Sequence, residues 1–236
     1  MNEVFPALWT LNWAEQEKLP MLWTPECGST QDLAREDFPQ GNSKRKLYIA
    51  GHQLKGRGRF DRRWEFSRDC DQLFTTWGFR QTEFSFWLPM RVGLSLYQAL
   101  LPWQQHGELS LKAPNDLYRN DKKIGGLLTE VIQRGPDVFI LIGLGLNVAG
   151  KAPLPTAGVL MNEKETTTER DWQDFLFRWK KILEQALVKT DPLGAEEKAA
   201  LLEALNRSPL LSEKFKDIDD AGNLITDGRK IPWTDL

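Results

Sequence analysis

Cysteine and histidine are scarce in this 236-residue chain: Cys27 and Cys70 lie far apart and outside any CxxC pair, and His52 and His106 are the only histidines. That excludes a disulfide framework and leaves no readable zinc or other metal site, so a reducing cytoplasm suits the chain. No apolar run reaches membrane-spanning length, and the start, MNEVFPALWTLNWAEQEKLP, lacks the basic head and continuous apolar centre of a signal peptide. There is no excess of one charge either. Thirty-one Lys and Arg against 33 Asp and Glu leave a net charge of −2, a poor field for recruiting DNA or an anionic membrane. Any anion recognition must be local, and neither DNA nor a membrane is an expected partner.

The chain does have apolar residues, at 41%, and aromatics, at 11%, enough to bury a core. Their spacing predicts an α+β fold, a mixed sheet packed with helices. Leu22 to Thr24 reads as a short strand, followed by a helix opened by Ser29 and Asp32 in a capping-box spacing and closed near Phe38-Pro39. Leu47 to Ile49 and the alternating Leu73, Thr75, Trp77 and Phe79 read as strands. Met90, Leu94, Tyr97 and Leu101 recur at helical spacing up to Gly107, and Leu109, Leu111 and Ala113 alternate up to Pro114. Two longer strands, Ile124 to Ile132 and Val138 to Val148, make a hairpin about Arg134-Gly135-Pro136. Trp172, Phe175, Leu176, Trp179, Ile182, Leu183 and Ala186 form one apolar stripe on a long helix, read as core. After Pro192 come a short helix and a tiny β meander with turns at Ala221-Gly222-Asn223 and Asp227-Gly228. This divides the chain into a main domain, 1–191, whose first 20 residues are an extension, and a small C-terminal region, 192–236.

Three segments carry chemistry. Lys55-Gly56-Arg57-Gly58-Arg59-Phe60-Asp61-Arg62-Arg63-Trp64 packs five cations into ten residues between two strands. Its glycines let backbone N–H groups approach a ligand, and Arg57 and Arg59 can fork onto phosphate or carboxylate oxygens. Read only as a composition, it is equally a solvated loop that touches nucleic acid. Lys112-Ala113-Pro114-Asn115-Asp116 ends a strand with a cation and an acid, and doubles as an ordinary turn signal. Asp121-Lys122-Lys123-Ile124-Gly125-Gly126 is a hairpin turn whose glycines can admit a ligand against the backbone, a theme repeated at Gly143-Leu144-Gly145-Leu146-Asn147.

In this order and spacing, Gly28 to Gln31, Gln53 to Trp64, Lys112 to Asp116, Lys123 to Glu130 and Gly143 to Val148 resemble the successive motifs of the biotin protein ligase family, over residues 22–190. The resemblance implies the catalytic-domain fold shared with lipoate ligases and class II aminoacyl-tRNA synthetases, with an abbreviated SH3-like C-terminal part. It implies an ATP-dependent ligase in which biotin and Mg²⁺-ATP give biotinyl-adenylate and a lysine of a biotin carboxyl carrier protein domain then takes the biotin; it is compatible with a homodimer. By the same resemblance Ser29, Thr30, Gln31 and Gln53 line biotin, Arg57-Gly58-Arg59 folds over the ligand as a loop, and Gly56 and Trp64 belong to the binding set. Lys112, Asn115, Gly125, Gly126 and Asn147 complete the binding set. Asp116, Lys123 and Arg59 are the expected catalytic groups: Asp116 to orient or deprotonate the incoming lysine, Lys123 to hold the biotin carboxylate and adenylate phosphate, with Lys122 left in solvent. Such charge crowding needs fixed cations where negative charge develops.

The chain departs from the family pattern at Ala113, where tryptophan is usual, and at Val159, where an adenine-stacking tryptophan is often found. The residues before Ser29 are too few for the winged-helix DNA-binding domain of some members. Two rival readings remain open: a lipoate or octanoate ligase of the same fold, and a nucleic-acid-binding module that uses the basic loop.

Overall fold

The computed structural model describes residues 6–235. Seven strands make the main sheet: β1 (Met21–Cys27), β2 (Arg45–Gln53), β5 (Cys70–Gln81), β9 (Asp137–Gly150), β8 (Lys122–Arg134), β7 (Asp116–Arg119) and β6 (Leu109–Lys112), in that spatial order. Of these seven strands, only β1 and β2 pair with each other in parallel. A parallel pair needs a crossover, and α2 (Thr30–Asp37) supplies it. The basic loop spans β2 to β5 and folds back as a two-strand ribbon, β3 (Gly56–Arg57) against β4 (Arg63–Trp64).

Strand alternation gives the sheet two unlike faces. From β5 and β9, Leu73, Trp77, Phe79, Ile140, Ile142, Leu144, Leu146 and Val148 point into the main core. That face is covered by α1 (Pro6–Gln16), α3 (Leu88–Leu100) and α4 (Glu169–Leu187). Trp77 meets Trp13 of α1 at 5.8 Å and Trp179 of α4 at 5.6 Å between ring centroids. The stripe expected on the long helix is core: Trp172, Phe175, Trp179 and Leu183 are all fully buried. A capping box between Thr168 and Asp171 opens that helix. On the opposite face α2 covers one end with a small cluster, Ala34, Phe38, Tyr48, Phe139 and Leu141. The rest of that face carries Thr76, Gly126, Gly143, Gly145 and Asn147, which are small or polar, and it holds the site.

Two elements depart from the sequence expectation. The extension contains α1, whose apolar residues are not segregated to one stripe; it is held by burial of Trp13 and Ala14 and by the Trp172 indole N–H, which donates to Thr10 Oγ1 at 2.9 Å. Residues 1–5 of the extension lie outside the described residues. Asp116, a turn former by composition, instead starts β7, because Lys112 and Gly126 flank it on either side of the sheet. The C-terminal meander forms as expected: β10 (Asp217–Ile218), β11 (Asn223–Ile225) and β12 (Lys230–Pro232) are antiparallel. Among the described residues no helix is long and apolar enough to cross a membrane.

The C-terminal part is tied on through Arg91 of α3 and Glu197 of α5 (Ala195–Asn206). The buried Arg91 guanidinium pairs with Glu197 at 3.0 Å and donates to the carbonyls of Lys189, Asp191 and Pro192. Burial alone would raise the Glu197 carboxyl, but hydrogen bonds from Arg91, Lys189 and the Gly194 amide outweigh it and bring its pKa from 4.5 to about 2. A carboxyl depressed on folding adds stability that is complete above its unfolded pKa and is lost as pH falls through the folded one. Thermal unfolding at stepped pH between 4.5 and 2 should therefore fall more steeply for the parent than for Glu197→Gln. Parallel slopes would show that the pair does not couple to folding.

Candidate active site

Helix α2 begins where β1 ends, over the glycine-bearing stretch of β9. Ser29 caps it by accepting from the Gln31 amide at 3.2 Å rather than through the expected pairing with Asp32, whose carboxylate is turned to Arg57 instead. The first turn then presents Thr30 and Gln31 to the sheet. Gln53 Oε1 accepts from the Thr30 amide at 2.8 Å and the Thr30 hydroxyl at 3.1 Å. Thr76 Oγ1 lies 3.0 Å from Thr30 Oγ1 and 3.1 Å from Gln31 Oε1, and Gln31 Nε2 donates to Glu130 at 2.8 Å. Up to the Glu130 carboxylate this is an uncharged chain of donors and acceptors, and it is buried. It needs Gly143: a Cβ there would stand 2.6 Å from Gln31 Oε1.

The basic loop closes the opposite side. Its ribbon pairs Gly56 with Trp64 and lays the Trp64 indole flat on β9, where a Cβ on Gly145 would meet the ring at 2.7 Å. Among the described residues the buried Trp64 indole N–H has no acceptor. Arg57 forks onto Asp32 at 2.8 Å and Glu130 at 3.0 Å. Partial burial works against the Arg57 charge, but Glu130 and Asp32 outweigh it and hold its pKa above the ordinary value. Arg59 lies over the Phe60 ring and borders the cavity.

The third side comes from a β-bulge. Pairing runs from Leu117 with Gly125 to Tyr118 with Lys123, so Ile124 is an extra residue on β8. Ile124 drops into the core, and Lys123 is carried to the same face as Gly126. Its ammonium pairs with Asp116 at 2.7 Å and stands 5.5 Å above the Trp64 ring. Lys122 is exposed and donates to the Pro155 carbonyl at 2.9 Å.

These walls enclose a cavity of about 120 Å³. Of the residues expected from sequence, Ser29, Thr30, Gln31, Gln53, Arg57, Gly58, Arg59, Trp64, Asn115, Asp116, Lys123 and Gly126 border it. Gly56, Lys112, Gly125 and Asn147 do not. Gly56 packs under Trp64, Gly125 faces Leu146, and Lys112 is exposed near the Tyr118 ring. Asn147 is buried as a brace: its Oδ1 accepts from Gln72 at 2.8 Å and its Nδ2 donates to the Gly158 carbonyl at 3.0 Å. Gln72 in turn holds the end of the basic loop at Glu65. Of the departures from the family pattern, Ala113 is buried in the core, and Val159 lies between Gly158, bonded to the Lys123 carbonyl, and Leu160, bonded to that of Asn147.

Sequence reading missed Thr76, Arg62 and Arg63 in the cavity wall, and Asp32 and Glu130 as partners of Arg57. Glu130 closes the motif that begins at Lys123, and its place two residues beyond Leu128 on the site face was the available signal. A larger apolar groove of about 490 Å³, between Phe86, Met90, Val131 and Trp233, meets the cavity at Arg59 and Asn115.

A model of the biotin/lipoate A/B protein ligase family matches residues 25–147, just over half of the chain. The chain belongs to this family. The matched span runs from the end of β1 through Asn147 and so contains every wall of the cavity. Among curated members, biotin–protein ligase 2 of Arabidopsis thaliana is 27% identical over 151 residues, which cover 61% of this chain and 45% of that protein. The biotin–[acetyl-CoA-carboxylase] ligase of Mycobacterium tuberculosis is 34% identical over 108 residues, 43% of this chain and 39% of that one. The matches thus span under half the length of these relatives. The fold matches a biotin protein ligase from Aquifex aeolicus, solved with biotin and ATP, with a TM-score of 0.69, 23% identity and coverage of 92% of this chain and 97% of that one.

Cys27, at the end of β1 and in register with Gln53, is the cysteine nearest this family site, and it is not poised as a nucleophile. Burial, then the charges of Asp32 and Glu26, push its thiol from 9.0 to about 11, and burial pushes Cys70 to about 12. Because only the thiolate reacts, labelling of the folded protein at pH 8 by an aromatic disulfide reagent should be about a hundredfold slower than labelling in urea. Comparable rates in the two states would contradict this placement of the thiols.

Proposed function

We propose that this chain is a biotin–protein ligase, which activates biotin with Mg²⁺-ATP as biotinyl-5′-AMP and transfers the biotin to a lysine of a biotin carboxyl carrier domain. The observation that carries the reading is the two-ended cavity. One end is a buried, uncharged chain of hydroxyl and carboxamide groups, apt for the N–H and carbonyl groups of a cyclic urea. The other end is a cation beside a carboxylate, apt for an acid being activated and an amine being received. Relatives named as biotin ligases support the choice of acid. An octanoyl or lipoyl tail would leave the buried polar chain unmatched, at a cost for each unsatisfied group.

In the first step a biotin carboxylate oxygen bonds to the α-phosphorus and pyrophosphate leaves. Lys123 and Arg59 face the negative charge gathered there, and fixed cations at that point stabilise the transition state more than the ground state. In the second step the carrier amine bonds to the acyl carbon, AMP leaves, and the amine proton passes to Asp116. Mg²⁺ enters with the nucleotide as part of the substrate; among the described residues no group of three or more His, Cys, Asp or Glu side chains is arranged to hold a metal ion. We assign this chemistry to residues 1–191, with 192–236 as an accessory part, working in the cytoplasm, where Cys27 and Cys70 stay free.

Biotin-dependent exchange of pyrophosphate into ATP tests the reading: the parent should support it, and a folded, Mg²⁺-replete protein without exchange would refute it. Lys123→Ala should lower the exchange rate about ten- to hundredfold, as expected for losing a charge-assisted hydrogen bond worth about 1.5–3 kcal/mol. Lys122→Ala should change it less than about twofold, because a solvated lysine contributes little. Equal losses at the two positions would place the wrong lysine in the site. Asp116→Ala should slow transfer from preformed biotinyl-adenylate to the carrier while unfolding at the parent's temperature; transfer at the parent's rate would remove Asp116 from the second step.

A further inference from the structure

The polar chain in the cavity ends on the Glu130 carboxylate, the last residue of the Lys123 motif, to which the ligase chemistry assigns no role. Glu130 lies on the site face of β8, four residues beyond Gly126 and so about 13 Å along the strand from the reacting end. It accepts from Gln31 Nε2 at 2.8 Å, from Arg57 at 3.0 Å and from Arg35. Gln31 and Arg35 stand one helical turn apart on α2, so a single side chain joins that helix, the basic loop and the sheet.

A carboxylate offers only acceptors, whereas a glutamine side chain has a donor edge and an acceptor edge. Facing Glu130, Gln31 must present its NH₂, since its carbonyl oxygen would meet the carboxylate lone pair to lone pair. A second acceptor, the Leu128 carbonyl, lies 3.5 Å from the same Nε2. The Gln31 carbonyl oxygen is thereby turned to Thr76 and over Gly143, both of which border the cavity, and it keeps a second lone pair to offer. Besides Glu130, among the described residues only the Leu128 carbonyl, at the long limit of a hydrogen bond, favours that choice, and the Thr76 hydroxyl, with one proton to offer between Thr30 Oγ1 and Gln31 Oε1, does not impose it. We infer that Glu130 is a positioning residue for substrate selection: it fixes the Gln31 carboxamide with its oxygen toward the cavity and so makes that end of the site demand a ligand that donates a hydrogen bond. A cyclic urea N–H meets the demand; a hydrocarbon or dithiolane tail does not. The inference rests on the biotin ligase reading and adds to it the residue that sets the polarity of the head-group end.

Calorimetric titration of biotin into the parent, Glu130→Gln, Gln31→Ala and the double variant tests it. A glutamine at 130 can face either edge of Gln31, so Glu130→Gln should weaken biotin about tenfold, the scale of one hydrogen bond to a charged group, with the affinity for ATP held. In the Gln31→Ala background the same change should cost less than about twofold, because Glu130 acts through Gln31. Glu130→Asp, which keeps an acceptor-only group, should bind biotin more tightly than Glu130→Gln. Parent-like affinity in Glu130→Gln, equal losses in the two backgrounds, or weaker binding in Glu130→Asp than in Glu130→Gln would each overturn the inference and leave the ligase reading standing. A parent that binds no biotin would overturn both.

Discussion

Everything in the site hangs on bare backbone in the middle of the sheet. Gln31 and Trp64, from opposite sides, press onto β9 at Gly143 and Gly145, so closely that one added carbon at either position would collide with them. A strand interior normally gains from branched side chains, and glycine there weakens it. Here the other face of the same strand compensates, since Ile140, Ile142, Leu144, Leu146 and Val148 are all buried in the main core. The strand is thus secured from behind and left open in front. That division lets a rigid element carry the polar chain of Thr30, Gln31, Gln53 and Thr76 with little freedom to rearrange.

Charge is handled by the same economy. Two cations that face the cavity pair with carboxylates of other segments: Arg57 of the ribbon with Asp32 of α2 and Glu130 of β8, and Lys123 of β8 with Asp116 of β7. These pairs hold segments together while leaving the cations at the cavity wall. They are partly exposed and contribute modestly to stability. Their larger effect is geometric, because each fixes a long side chain whose rotamer freedom would otherwise oppose ligand binding.

Much of this was legible in the sequence, for reasons that can be named. Strands that bury one face alternate, and β5 was found by that alternation, while β8 and β9 were found as two longer strands about the turn at Arg134-Gly135-Pro136; the α4 stripe and the turns of the C-terminal meander were equally local signals. The motifs around Gln31, Arg57, Asp116 and Lys123 were readable because each is a short run of chemically distinctive residues. What escaped depends on contacts across the fold. Helix α1 has no sharp apolar stripe, and its place is set by Trp172 and Trp77, far away in sequence. Glu130 reads locally as one more polar strand residue, and only α2 and the ribbon give it partners. The bulge at Ile124 is a matter of registry between strands, and a one-residue shift there reverses which of two lysines faces the cavity.

The long connection between β9 and α4 has no regular structure, yet it is tethered at both ends of its path. Gly158 bonds the Lys123 carbonyl and is held by Asn147, while Arg119 and Glu165 form a pair buried in the protein. Connections of this length often keep freedom that is lost only on binding, and the lost freedom is then subtracted from affinity. In this chain those tethers already fix the stretches around Gly158 and Glu165 in the folded state. None of the connection's residues borders the cavity, so it acts from behind, holding the backbone that carries the Lys123 ammonium.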